Sequence, residues 1–170
     1  DGLLKELQFE YQGNSNKYLF VDILKLENLI QSDNPIEAKE FILKVQKKHG
    51  NSIQFLKLQI KVNEMLEEWE EVLRLTRIAE KGKSVENLNL QSIKNFSVKN
   101  LLQSASNDPI LIKKIIGLIK NDYKNNSKLS LLTASAWMKI GNEKKTMEIL
   151  EEFLDQHWDS QLISLYSSCV

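Results

Sequence analysis

Cysteine is all but missing from this sequence: Cys169, beside the C-terminus, is the only one in 170 residues. Neither an intramolecular disulfide framework nor a multi-cysteine zinc site can be built from it. Proline and glycine are scarce, at two and six residues, which is too few for an all-β chain built on many tight turns. Surplus charge is missing as well, because 23 Lys and Arg balance 23 Asp and Glu. A dedicated nucleic-acid binder or a polybasic membrane-surface protein takes its affinity from excess cations, so both classes are excluded. Long apolar runs are also absent. Stretches such as Ile115 to Ile119 fall far short of the roughly 20 residues that a membrane-spanning helix needs. The chain starts at Asp1 rather than Met, so it reads as a piece of a longer protein, soluble in itself.

Helical periodicity is what remains, and it runs almost throughout. Tyr18, Val21, Leu24 and Leu29 share a face of a helix over about 16–31. Asn34-Pro35-Ile36-Glu37 reads as the next helix start, with Asn34 as cap, Pro35 in the first turn and Glu37 able to reach back. That helix carries Ala38, Phe41, Ile42 and Val45 and closes at His49-Gly50. Ile53, Leu56, Ile60 and Val62 mark a third helix; Trp69, Val72, Leu73, Leu75 and Ile78 mark a fourth that ends at Lys81-Gly82-Lys83. A longer helix is expected from Val85 to about Ser106. Asp108-Pro109 then repeats the cap-plus-proline start, ahead of Ile112, Ile115, Ile116 and Ile119. Leu129, Leu132, Ala136, Trp137 and Ile140 follow the Asn125-Asn126-Ser127 turn; Met147, Leu150 and Phe153 follow Gly141-Asn142; Leu162, Leu165 and Tyr166 end the chain. The expected fold is all-α, with about nine to ten helices in antiparallel pairs joined by short turns.

Three helix starts align at Ala38, Val72 and Thr146, and the first two lie 34 residues apart, the tetratricopeptide period. A small residue is wanted at this point because the two helices of a pair cross closely there. Val72 and Thr146 exceed the usual alanine, and the step between them overshoots two periods by six residues. The expected architecture is therefore one degenerate tetratricopeptide-like array, an α-solenoid over residues 1–170, with 158–170 as its terminal capping helix. Ala38, Trp69, Val72, Trp137, Thr146, Trp158 and Tyr166 are its expected packing residues.

Leu66-Glu67-Glu68-Trp69-Glu70-Glu71-Val72-Leu73-Arg74-Leu75 resembles the "D-W-x-x-L-L-x-L" helix of bacterial HemY-type tetratricopeptide proteins. Its lysine-rich turn, the long helix and the Asp108-Pro109 start follow in that family's order. The ending Trp158-Asp159-Ser160-Gln161-Leu162-Ile163-Ser164-Leu165-Tyr166 is similar to the family's terminal "W-D-x-x-L-V-x-L-Y". The family's Trp-x-x-Leu-Pro element is replaced here by Ile115-Ile116-Gly117-Leu118-Ile119-Lys120, and no N-terminal membrane hairpin is present in the sequence. The resemblance implies a non-enzymatic scaffold, anchored to the bacterial inner membrane through a segment outside this sequence and associated with haem biosynthesis. It also opens an alternative, a haem- or porphyrin-handling domain. An unrelated repeat-containing assembly factor is the third expectation.

Residue chemistry offers no catalytic centre. His49 and His157 stand 108 positions apart and neither has a His or Cys at ligand spacing, so no metal site is expected. His49 follows Lys47-Lys48 at a helix end, where cationic side chains suit the helix dipole; His157 reads as a cap or surface residue. Gly141-Asn142-Glu143-Lys144-Lys145-Thr146 lacks the second glycine and preceding strand of a phosphate loop. Cofactors are expected to be none, haem being the single candidate. Charge is patterned: Glu64, Glu67, Glu68, Glu70 and Glu71 cluster, while Lys94, Lys99, Lys113, Lys114, Lys120, Lys124 and Lys128 fill the middle segment. These read as solvated faces, or as complementary surfaces for a partner or a second copy of the chain. In a helical array the first helix of each pair lines the concave face, and a protein or peptide partner is expected there, at Asp22, Lys25, Gln59, Asn63, Thr133 and Lys139.

Overall fold

The computed structural model describes residues 15–49, 52–82, 89–106, 108–120 and 122–169. All regular structure among them is helical: α1 (Ser15–Gln31), α2 (Pro35–His49), α3 (Ile53–Met65), α4 (Trp69–Lys81), α5 (Leu90–Ser104), α6 (Pro109–Leu118), a 3-10 turn (Tyr123–Asn125), α7 (Ser127–Lys139), α8 (Glu143–Leu154) and α9 (Ser160–Ser167). Two compact units divide between Ile93 and Lys94, so the first turn of α5 belongs to one and the rest to the other.

Helix boundaries follow local chemistry. Asp33, Glu67 and Gly141 take positive φ, at 51°, 56° and 72°. After each, the next amide reaches back five residues, from Asn34 to Leu29, Glu68 to Asn63 and Asn142 to Trp137, at 2.9 to 3.0 Å. The same left-handed closing turn thus ends α1, α3 and α7. Two of these positions hold no glycine, so sequence inspection finds only the third. Starts are capped by short polar side chains: Asp108 accepts from Ile110 and Leu111, Asn126 from Leu129, Asn142 from Lys145. At α2 the Glu37 carboxylate takes the Asn34 side-chain amide at 2.8 Å. Glu68, the expected start of α4, makes no capping bond and instead pairs with Lys39.

Two expectations lie partly outside the described residues: the glycine at position 50, and the Val85 and Leu88 turn of a long helix. From Leu90 onward α5 has 15 residues, the same as α2 and fewer than the 17 of α1. Its start is set by Asn89, whose side chain accepts from the Ser92 amide at 3.1 Å.

In the N-terminal unit, α1 packs on α2 and α3 on α4, with α3 also against α1 and α2. Leu26, Ala38, Ile42, Val45, Phe55 and Val62 form one apolar cluster; Leu56, Ile60, Val72, Leu75, Ala79 and Leu90 form another, flanked by half-buried Trp69. In the C-terminal unit α7 packs on α8, and α9 on both. Thr146, fully buried, places its hydroxyl 3.2 Å from the Ala134 carbonyl of the facing helix. Short turns between packed neighbours make these pairs antiparallel hairpins. Trp137 and Tyr166 are half-buried against the α7–α9 core around Leu150 and Leu162.

Trp158 corrects the expected packing set: it is 87 % exposed. Asp159 is the residue that starts α9, accepting from the Gln161 and Leu162 amides at 2.9 and 3.2 Å. The Leu162 amide foremost holds the Asp159 carboxyl below its ordinary 3.8. Its stabilising effect is therefore complete above that value and is lost as pH falls through the lower folded one. Asp159→Ala is expected to lower unfolding free energy by about 1 kcal/mol at pH 7. In urea titrations the gap from the parent should narrow below pH 3.8; a gap that is independent of pH would assign the loss to something other than this carboxylate.

Candidate functional site

α6 reads PILIKKIIGL, and its two sides differ. Ile112, Ile115 and Ile116 are buried against Leu101 and Leu102 of α5, Ala105 just after it, and Ala136 and Trp137 of α7. On the outer side Ile110 is 79 % and Leu111 44 % exposed. Lys113, Lys114 and, just beyond the helix, Lys120 are exposed too. Ile110, Lys113, Lys114 and Gly117 follow i, i+3, i+4, i+7 spacing and share one face. A Cβ added at Gly117 would meet nothing within 4 Å, so packing does not demand glycine there, and the backbone lies open between the lysines. Asp108 is the only acidic residue from 108 to 120, and its carboxylate is engaged by the Ile110 and Leu111 amides. The strip combines two large apolar side chains with a local cationic excess. Such a surface suits an acidic partner that offers an apolar groove.

Several other charges are paired. Lys94, expected on a solvated face, is 4 % exposed and meets Asp122 at 2.9 Å. Lys124 meets Glu152 at 2.5 Å. In the acidic cluster Glu71 holds Arg74 through two bonds, of 2.6 and 2.7 Å, while Glu68 takes Lys39. Burial raises the Glu64 carboxyl above its usual range, with Lys61 pulling the other way.

The six expected partner-binding residues do not present one kind of surface. Asp22 is taken by His49, whose ring nitrogen lies 2.6 Å from the carboxylate; the His49 side chain is 3 % exposed and edge-on to Phe55. That corrects Asp22 as a partner-binding group, and gives His49 a buried contact beyond the helix-end role that its position suggested. Lys25 lies over the Phe41 ring at 4.4 Å. Gln59 and Asn63 are buried, and the Asn63 amide bonds the Gln59 carbonyl at 2.7 Å. Thr133 is fully buried with its hydroxyl on the Leu129 carbonyl. Asp22, Gln59, Asn63 and Thr133 are thus corrected from exposed groups to covered ones, because helix packing within each unit encloses them. Lys139 is exposed. Among the described residues no group of three or more His, Cys, Asp or Glu could hold a metal ion. No described helix is long and apolar enough to cross a membrane.

Over residues 65–128 the chain is similar to the calmodulin binding protein central domain, whose family model matches there. The matched segment, less than half of the 170 residues, contains α4 to α6 and the outer strip of α6. Neither a curated protein nor a solved structure matches the chain. The match overturns the HemY-type tetratricopeptide resemblance and the haem-biosynthesis link that came with it, and leaves the haem-handling alternative and the membrane anchorage without support. The physical reason lies in the motifs that carried it. Asp108-Pro109 and Asp159 are ordinary helix caps, Trp158 packs on nothing that buries it, and the leucines around them are amphipathic positions. Any chain of helical hairpins shares such features.

Proposed function

We propose that this chain is a non-enzymatic, helical protein-interaction domain whose partner is calmodulin, engaged through the outer strip of α6. The carrying observation is that the segment similar to the calmodulin binding protein central domain includes a helix exposing Ile110 and Leu111 beside Lys113 and Lys114. Calcium-loaded calmodulin opens a Met-rich apolar groove between EF-hands rich in carboxylates. It takes amphipathic helices by apolar anchors; Ile110 and Leu111 would supply these, with Lys113 and Lys114 toward its carboxylates. The reading uses no catalytic residue and no cofactor. The frame is a set of hairpins stacked side by side within each unit in α-solenoid fashion, which the recurring left-handed turn supports.

Anisotropy of dye-labelled calmodulin is the direct test. Binding is expected in calcium, with Kd on the order of 1–10 μM, and not in EGTA. The double substitution Ile110→Asp with Lys113→Glu should weaken it at least about tenfold, or roughly 1.4 kcal/mol. Both side chains are exposed, so helical content should be unchanged. Absence of calcium-dependent binding, or a double variant that binds like the parent, would overturn the proposal.

A further inference from the structure

In the N-terminal unit, α2 buries Ala38, Ile42 and Val45 and turns a different set of residues outward. Ile36, Glu40, Leu43 and Lys47 follow i, i+4, i+7 and i+11 spacing and share the side opposite that buried set. Ile36 is 67 % and Leu43 58 % exposed, and Glu40 and Lys47 are exposed with them. Single apolar residues on a surface need no explanation, whereas two large ones aligned on one helix face form a patch.

Charge on this face is segregated along the helix. Glu37 and Glu40 lie in its first half, and Lys44, Lys47 and Lys48 in its second, all of them exposed. Lys39, the cation of the first half, is taken by Glu68. Among the described residues Glu40, Lys44 and Lys47 form no ion pair, although Glu40 and Lys44 stand one turn apart. Glu37 receives the Asn34 amide on one carboxylate oxygen, Oε2, and a carboxylate has room for further donors.

Acid before base suits the helix dipole, and it also makes the face complementary to its own reversed image. A parallel copy of α2 would set like charge against like. An antiparallel copy centred at the level of position 42 sets Glu40 opposite Lys44 of the second copy and Glu37 opposite its Lys47. Two-fold symmetry then repeats both pairs and brings the two Leu43 side chains together beside the axis. The two helix dipoles also oppose each other in this arrangement.

We propose that the outer face of α2 is a self-association surface, on which a second copy of this chain packs antiparallel. Leu43 meets Leu43 at the centre, Ile36 lies toward each rim, and the Glu40–Lys44 and Glu37–Lys47 pairs flank them. A second copy is the occupant because the face carries both signs of charge in the order its reversed image requires. A partner of one sign would leave half of those charges unmet. One 15-residue helix against its copy covers less than the roughly 1,200–2,000 Å² of stable complexes. The dimer is therefore weak, with Kd on the order of 100 μM. α2 lies outside the matched residues 65–128, so the surface stands whether or not the calmodulin reading holds.

Sedimentation equilibrium of the 170-residue chain at about 10 to 500 μM is the test. Mass should rise with concentration from 19.7 kDa toward twice that value. Leu43→Glu should weaken association at least about tenfold. The residue is exposed, so circular dichroism should show unchanged helix content. Glu40→Lys should weaken association by about three- to tenfold, and adding Lys44→Glu should restore it, since the swapped charges again face opposite signs in an antiparallel pair. A chain that stays at 19.7 kDa throughout the range would overturn the proposal and leave the face to an occupant other than a second copy. So would a dimer that Leu43→Glu leaves intact, or a Glu40→Lys loss that Lys44→Glu does not repair.

Discussion

Phe55→Ala is expected to lower the unfolding free energy of the N-terminal unit by about 3–5 kcal/mol, the range for truncating a buried aromatic. Phe55 is fully buried in the cluster of Leu26, Ala38, Ile42, Val45 and Val62, where three helices meet. Its ring also lies 5.4 Å from His49, edge-on, beside the His49–Asp22 contact. Removing it leaves a void and frees the imidazole that joins α2 to α1. Urea unfolding followed by circular dichroism measures the loss. Trp158→Ala is the matched comparison, being a larger aromatic that is 87 % exposed. Its change should stay within about 0.5 kcal/mol. A reversed order, with Trp158 the costlier of the two, would show that the tail packs as the sequence pattern suggested and not as the structure places it.

Asp122→Ala should cost the C-terminal unit about 3 kcal/mol. Lys94 is drawn into the interior with its side chain 5 % exposed, and Asp122, 22 % exposed, meets it at 2.9 Å. Removing one member of a buried pair leaves the other charge in a poorly solvated place, which costs about 3–5 kcal/mol; the partial exposure of Asp122 points to the lower end. Lys94→Met should cost less, because it removes the charge that requires a partner while keeping an unbranched chain of similar reach. Denaturant midpoints of the two variants give the comparison. An Asp122→Ala midpoint equal to that of the parent would mean that water or its other contacts hold Lys94, and that the pair carries little of the unit's stability.

The contrast between Lys94 and Lys113 shows where sequence reading stops. Both sit in the same lysine-rich stretch and both look like surface residues by type. Lys113 lies on the outer side of α6 among exposed neighbours, as its helical phase allows. Lys94 is buried because Asp122, 28 positions away, comes to meet it; no local pattern states that distance. His49 and Asp22 repeat the lesson, since the closing contact spans 27 positions. The strip on α6 was half legible. Its lysines were visible, but Ile110 and Leu111 read as ordinary members of an apolar run until burial separated them from Ile112, Ile115 and Ile116.

Sequence by itself determined the helical class, the near-absence of turn-rich or disulfide chemistry, and most helix starts. Those follow from residue spacing and from caps such as Asp108, Asn126 and Asn142, which act within four residues of themselves. Tertiary structure alone decided which polar residues point outward, which charges are buried, and that Trp158 is left uncovered while Thr133 and Gln59 are enclosed. The physical reason is range. Backbone capping and amphipathic phase are set by neighbours in the chain, whereas burial and pairing are set by which helices meet, and helices of similar amphipathic pattern can meet in more than one way.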